Sequence, residues 1–342
     1  RWMLGLETLP AVLYFFSLFV VPESPRWLLM KGKEKEAEAI MTKASGAEEA
    51  SREISVIKEN IATASRSEKL PLRELFKPAL RFVLTIGIVV AVLQQITGIN
   101  SVFFYAPMIF EQSGIGTDAA FSQAILVGLI NLVFTILAIS LIDRLGRKPL
   151  LSFGVAGIAI CMFLLAYGFN SASYTLEESA IEALPEEIDR QRLAPLLNVT
   201  YANDVAFKTA IRENLGMEVG KKYESNFLTS AISINPILIL LGILGFVASF
   251  AISIGPVMWV LFSELFPNRI RGLAISFVGF INSAVSFLVQ LVFPWELENL
   301  GSSTTFLIYG VFAALGLIFI LRYIPETKGK SLEELEKTLV KS

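Results

Sequence analysis

Histidine is absent from this 342-residue chain, and cysteine occurs once, at Cys161. Without His, the commonest metal ligand and the one side chain that titrates unperturbed near neutrality are both missing. A lone thiol cannot build a disulfide framework. No cluster of residues suggests a metal, and no nucleophile–base pair suggests an enzyme, so no metal ligand, cofactor or catalytic residue is assigned. No basic stretch interleaved with aromatics points to nucleic acid. Charge is scarce as well: Asp, Glu, Lys and Arg make up 18% of residues, against about 25% in soluble domains.

What the chain has instead is long apolar runs. Hydrophobic residues are 54% of the total, with 26 Phe, and they cluster rather than alternate with polar ones. A helix needs roughly 20 mostly apolar residues to cross the ~30 Å hydrocarbon layer. Seven stretches meet that need, near 2–21, 79–110, 120–142, 149–169, 236–264, 272–295 and 304–324. The first begins with Arg1, as a secretory leader would, but it lacks a small-residue cleavage site and is long enough to span. The chain therefore reads as an all-α membrane protein with the lipid bilayer as its solvent. Its expected place is a cell membrane, plasma or bacterial inner.

Lys and Arg in the short connections set the orientation. Twelve fall in 22–81, three in 143–148, two in 265–271 and five in 322–342, while the alternate connections 111–119 and 296–303 hold none. The rule puts 22–78, 143–148, 265–271 and the C-terminus in the cytoplasm. Residues 170–235 then fall outside, carrying ten Asp or Glu against six Lys or Arg, and read as a small, partly helical cap. Their Asn198-Val199-Thr200 has the form of a glycan acceptor. Within 22–78, the stretches 33–39 and 47–65 read as amphipathic helices on the cytoplasmic surface.

The first run exits through Val21-Pro22-Glu23-Ser24 and the seventh through Ile324-Pro325-Glu326-Thr327. Six runs separate these similar exits, which points to a six-helix repeat, with about five helices expected ahead of Arg1. Residues 1–21 are then the last helix of a preceding bundle, 22–78 a linker, 79–324 a six-helix bundle interrupted by the 170–235 insertion, and 325–342 a tail.

Polar side chains inside the hydrocarbon layer are costly, so they either bind something or glue helices together. The first group is Gln94-Gln95-Ile96-Thr97-Gly98-Ile99-Asn100. At ~100° per residue, Asn100 lies about 140° round an unbroken helix from Gln95. The three amides can share a cavity only if the helix loosens at Thr97-Gly98, and Pro107 weakens the same helix further on. Interrupted helices are where transporters tend to bind solutes, and carboxamides offer the paired donors and acceptors that sugar hydroxyls need. Asn131 and Asn282 each lie about ten residues from the nearest span ends, near the midplane. Alone each could be helix glue; together with the Gln pair they favour a shared pocket.

Gly255-Pro256-Val257-Met258-Trp259 interrupts a further helix. Its indole suits either stacking on a pyranose or anchoring at the membrane interface. Phe250 could gate the pocket or face lipid. Gly242, Gly245, Ser249 and Ser253 form a small-residue stripe that suits the close approach of another helix. No Asp, Glu, Lys or Arg falls near the middle of any run, Glu7 lying toward the outer end of the first. Any proton carrier is therefore expected ahead of Arg1, or transport is uncoupled.

Charges gather at the cytoplasmic ends: Glu23-Ser24-Pro25-Arg26, Asp143-Arg144-Leu145-Gly146-Arg147, Glu264 with Arg271, and Glu326. Exposed pairs contribute only about 0–1 kcal/mol each. Pairs that form when the inner side closes would still bias a two-state equilibrium, while plain positive-inside topology explains part of the pattern.

Taken with Pro22 through Trp27, Gln94 through Asn100, Asp143 through Lys148, Gly255 through Trp259, Glu264 through Gly272 and Pro325 through Gly329, the chain resembles the sugar porter family of the major facilitator superfamily. The resemblance covers nearly all of it except 170–235. It implies helices six to twelve of a twelve-helix fold, with a monosaccharide (hexose or pentose) bound between two halves. It implies sugar contacts at Gln94, Gln95, Asn100, Asn131, Trp259 and Asn282, and that the charged residues Glu23, Arg26, Asp143, Arg144, Arg147, Glu264, Arg271 and Glu326 latch the outward-facing state. Tyr105 and Phe250 are read as candidate gating residues. Two departures stand out. Phe104 replaces the first of two tyrosines, leaving Tyr105, and Ser283 replaces a common Trp. The implied activity is alternating-access transport without chemical change, by proton symport first and uniport second, with a sugar sensor on the same scaffold as the alternative of another class.

Overall fold

The computed structural model describes residues 5, 8–47, 50–52, 54–55, 57–58, 71–112, 117–185, 187–267, 269–330 and 332–339. Arg1, Glu7 and much of the stretch 47–65 lie outside these, as does the side chain of Arg26. The chain divides into two compact units, residues 1–71 and 72–342.

In the first unit, α1 (Thr8–Leu18) is an apolar helix of 11 residues, exposed throughout. The described part of the 2–21 run is thus shorter than the roughly 20 residues a crossing needs. Then α2 (Pro25–Met30) starts at Ser24, whose hydroxyl accepts the Trp27 N–H, with Pro25 in the first turn where its missing N–H costs nothing. Next, α3 (Glu34–Ser45) is the amphipathic helix expected near 33–39. Ala37 packs with Leu28 and Leu29, while Ile40, Ile54 and Ile57 close over them.

The second unit begins before the expected boundary at 79. A 3₁₀ turn over Leu72–Phe76 buries Leu75 and sets the Phe76 ring edge-on to Phe277 at 5.6 Å, so it belongs with the bundle rather than the linker. Among the described residues, six helical segments are long and apolar enough to cross a membrane: Pro78–Glu111, Ile125–Leu145, Arg147–Asn170, Pro236–Leu265, Arg271–Asn299 and Gly301–Tyr323. Two are broken. The first consists of α4 (Arg81–Ile96) and α5 (Ile99–Gln112), separated by Gly98 at φ +85°. The unbroken α6 (Thr117–Leu145) and α7 (Arg147–Asn170) follow.

The insertion folds around its own core of Tyr174, Leu193, Phe207, Ile211 and Phe227. The helical cap expected from the sequence also contains a small antiparallel sheet, with β1 (Ser173–Thr175) between β2 (Thr200–Tyr201) and β3 (Ile232–Ser233). Around it lie α8 (Asp204–Leu215), α9 (Met217–Lys222) and α10 (Glu224–Ala231).

The second broken span is α11 (Pro236–Ile252) with α12 (Ile254–Leu265); α13 (Arg271–Asn299), α14 (Gly301–Tyr323) and α15 (Leu332–Leu339) complete the chain. The small-residue stripe does what its composition suggests. A Cβ on Gly154 of α7 would overlap the Ser253 side chain, so α7 and α11 approach to backbone contact. In lipid, where apolar transfer drives no helix association, such close packing supplies the attraction.

Candidate functional site

The break between α4 and α5 builds the site. Gly98 adopts a backbone conformation that L side chains avoid, and a Cβ there would overlap the Tyr309 ring, so the position needs glycine twice over. The break rotates Asn100 back toward Gln95, whose Oε1 accepts the Asn100 Nδ2 at 2.8 Å. Gln95 Nε2 donates to Asn282 Oδ1 at 3.1 Å, and Asn282 Nδ2 donates to Gln94 Oε1 at 2.7 Å and to the Ala91 carbonyl at 2.9 Å. All four carboxamides form one network across α4, α5 and α13.

A cavity of about 490 Å³ opens beside this network, lined by Gln95, Asn100, Asn282, Ser283, Ser286, Phe287, Gln290 and Leu291. Among the described residues, no charged side chain lines it. Gln94 belongs to the network but not to this lining: its Nε2 donates to the carbonyls of Ile254 and Gly255, both at 3.3 Å. Those carbonyls belong to the first two residues of α12, just past its break from α11, where Ser253 sits at φ −127°, ψ −104°. Gln94 thus ties one interrupted helix to the other.

Sequence reasoning missed Ser286 and Gln290. Ser286 Oγ accepts from Asn100 at 2.7 Å and from Gln290 at 2.9 Å. The available signal was spacing: 282, 286 and 290 are four apart and share one face of α13. The other expected residues stand apart from the lining. Asn131 is half-buried on α6 and makes no hydrogen bond among the described residues. Trp259 is 47% exposed, edge-on to Phe262. Phe250 lies against Gly255 at the second break. Tyr105 packs on Phe293 at 5.2 Å, and Phe293 in turn stacks on Tyr309.

At the Lys- and Arg-rich end, Arg147 forks onto Glu264 with two bonds of 3.1 and 2.7 Å and reaches Asp143 at 3.1 Å. The Thr327 hydroxyl donates to the same Glu264 at 2.6 Å. Glu326 caps α7 from outside that helix, accepting the Arg147 and Lys148 N–H groups at 3.1 and 3.0 Å. Burial works to raise the Glu326 carboxyl, but the backbone N–H groups of Lys328, Arg147, Lys148 and Thr327 outweigh it and hold the group below the usual carboxylate range. Arg271 Nε donates to the Phe266 carbonyl at 3.1 Å, and the Arg144 carbonyl accepts Lys328 Nζ at 2.5 Å, so these two residues brace connections. Glu23 is exposed in the first unit.

A matching device sits at the end carrying the insertion. Asp204 accepts the Ser302 N–H at 3.2 Å at the start of α14, beside Gly301 at φ +80°. It also pairs with Lys208 at 3.3 Å, a lysine only 2% exposed that donates further to the Leu297 carbonyl.

A family model described as "Sugar (and other) transporter" matches residues 1–183 and 217–339, leaving out the middle of the insertion. The chain is 35% identical to the arabinose-proton symporter of Bacillus subtilis (strain 168), covering 100% of itself and 60% of that protein. It is 34% identical to the D-xylose-proton symporter of Escherichia coli (strain K12), over 98% of itself and 56% of that protein. A solved structure of the major facilitator superfamily proton:xylose symporter XylE, bound to 6-bromo-6-deoxy-D-glucose, superposes with a TM-score of 0.66 at 32% identity, covering 99% of this chain and 59% of that one. The chain thus spans 56–60% of the length of these relatives. With six membrane-crossing segments, the major facilitator fold and a family model matched over most of its length, the chain belongs to the sugar (and other) transporter family of multi-pass membrane proteins, which are carriers and not enzymes.

Proposed function

We propose that the protein is a secondary transporter that moves a monosaccharide, a hexose or a pentose, across a cell membrane by alternating access with proton symport. The observation that carries this reading is the uncharged, carboxamide-lined cavity of about 490 Å³ between the broken α4–α5 span and α13. That volume falls within the range of about 300–1,000 Å³ usual for small-molecule sites. Each carboxamide both donates and accepts, as each sugar hydroxyl does. In the free site Gln95, Asn100 and Asn282 satisfy one another. A sugar exchanges those bonds for its own, so no buried amide need be left bare before or after binding. That suits a carrier, which must release what it binds.

Direct contacts are assigned to Gln95, Asn100 and Asn282, and Gln94 orients them. Asn131 and Trp259 remain in the proposal as contacts made in another step of the cycle, with Tyr105 and Phe250 as gating groups. The Lys- and Arg-rich end is assigned to the cytoplasm, with the C-terminus. Arg147, Glu264, Asp143 and Glu326 are the working part of its latch, braced by Arg144 and Arg271, with Glu23 and Arg26 on the preceding linker. Uniport is the second reading, favoured by the uncharged character of the described lining residues.

Uptake of labelled xylose, arabinose and glucose into proteoliposomes carrying the full-length protein tests this. An inward proton gradient should raise the initial rate, and sugar addition should alkalinise the outside. Equal uptake with and without the gradient would establish uniport, and no uptake of any monosaccharide would end the carrier reading. Gln95→Ala should weaken sugar affinity by about tenfold, the effect of one buried hydrogen bond. Unchanged affinity would remove Gln95 from the site.

A further inference from the structure

At the Lys- and Arg-rich end, a groove of about 410 Å³ runs between the start of α4 and the end of α14, lined by Arg81, Phe82, Thr85, Ile86, Phe319 and Tyr323. It is separate from the carboxamide cavity and shares no lining residue with it. Its walls are apolar: Phe82 is 43% and Tyr323 45% exposed, and the Phe319 and Tyr323 rings pack at 5.1 Å. The Arg322 guanidinium stands 5.8 Å over the Tyr323 ring, beside the groove. The cations of the bundle fall into two groups, and Arg81 and Arg322 belong with Arg144, Lys148 and Lys330, which face no carboxylate among the described residues. Arg147, Lys208 and Arg212 each face a carboxylate, whereas among the described residues neither Arg81 nor Arg322 makes an ion pair.

We infer that this groove binds an anionic phospholipid, its phosphate held at Arg81 with Arg322 alongside and an acyl chain laid over Phe82 and Phe319. Both arginines sit at the end of a membrane-crossing segment, where the hydrocarbon layer gives way to headgroups. A cation there without a protein counter-ion is matched by an anionic headgroup. Phe82 and Phe319 offer nothing to an inorganic anion, but they suit an acyl chain, whose burial is favourable per CH₂. Thr85 donates its hydroxyl to the Arg81 carbonyl, and the Arg81 side chain is exposed. The inference needs only that these helices cross a bilayer and stands whether or not the carboxamide cavity binds sugar.

Native mass spectrometry of the full-length protein tests it, after reconstitution with dioleoyl phosphatidylglycerol or dioleoyl phosphatidylcholine and controlled delipidation. Phosphatidylglycerol should persist as a bound adduct where phosphatidylcholine is stripped. Arg81→Gln with Arg322→Gln, both at exposed positions, should cut that retention by about tenfold or more. Lys330→Gln, a control at the same end, should leave it unchanged. Excess inorganic phosphate should not displace the lipid. Equal retention of both lipids, full retention in the double variant, or an equal loss in Lys330→Gln would each overturn the site, the last by reducing it to diffuse surface charge. Displacement by phosphate would overturn the role of the acyl chain.

Discussion

The two ends of the bundle solve one problem with the same parts and in different settings. Each has a membrane helix that begins at a glycine with positive φ, Gly146 before α7 and Gly301 at α14, where a side chain from the helix itself makes no cap. In each the free N–H groups are taken by a carboxylate from elsewhere in the chain, Glu326 or Asp204, and in each a cation network lies alongside. The settings differ in their access to water. Lys208 beside Asp204 is 2% exposed, whereas the side chains of Asp143, Arg147 and Glu264 beside Glu326 are 79%, 12% and 20% exposed. A sealed pair cannot be opened without stranding a charge, while a partly wet one opens at modest cost. The sealed end is built like a rivet, and the wet end suits the latch proposed for it.

Breaking the rivet should have the largest effect. Asp204→Ala leaves a buried ammonium with a carbonyl and with Glu224 at 3.6 Å, and it strips the acceptor from the first turn of α14. The expected cost is about 3–5 kcal/mol, read as lost hydrogen-exchange protection over Asp204–Leu215 and the start of α14. Adding Lys208→Met should recover most of it, since a buried pair is often replaced by apolar groups at little net cost. A loss in the single variant no larger than that of an exposed pair would erase the difference between the two ends.

The latch should respond less in stability and more in population. Arg147→Ala takes away both bonds to Glu264, which keeps the Thr327 hydroxyl. One or two kcal/mol then shifts a two-state equilibrium about tenfold. Distance measurements between spin labels on the two halves of the full-length transporter should show the state closed at this end depleted, with sugar affinity at the carboxamides preserved. Unchanged distances would make the Arg147 cluster a second rivet.

How far these features could be read from sequence depends on the range of the interaction. The six long segments follow from runs of about 20 apolar residues, which local composition reports directly. The break at Thr97–Gly98 was legible because the turn arithmetic kept Gln95 and Asn100 apart in an unbroken helix, and a glycine stood between them. The role of Gln94 was not: its acceptors are the carbonyls of Ile254 and Gly255, far along the chain and without side-chain identity. Asp204 was hidden for the same reason, since its partner is a backbone N–H in another helix. The sheet of the insertion has strands of two or three residues, too short for alternation to register. Trp259 was placed by motif and stands outside the cavity lining, because a motif fixes a position in the chain and not the neighbours a side chain meets.

The smallest expected effect lies at Glu326 and separates the two caps by pH. Its folded carboxyl titrates below the usual value of 4.5, because the start of α7 and the residues just after Glu326 itself donate several N–H groups to its charged form. A carboxyl depressed in the folded state contributes stability that is fully present above its unfolded value. That contribution fades as pH falls below about 4.5 and is gone once pH has passed through the lower, folded value. Glu326→Gln keeps much of the shape and loses the charge at the helix N-terminus, so it should cost about 1 kcal/mol at neutral pH. Hydrogen exchange of the Arg147 and Lys148 amides, followed from pH 7 downward, reads both quantities. The unsubstituted protein should lose protection there as the pH drops below the ordinary carboxylate range. The Gln variant should start lower and change less. Parallel pH profiles for the two proteins would show that the N–H groups of α7 do not depend on the Glu326 charge, and the resemblance between the two ends would then be one of geometry alone.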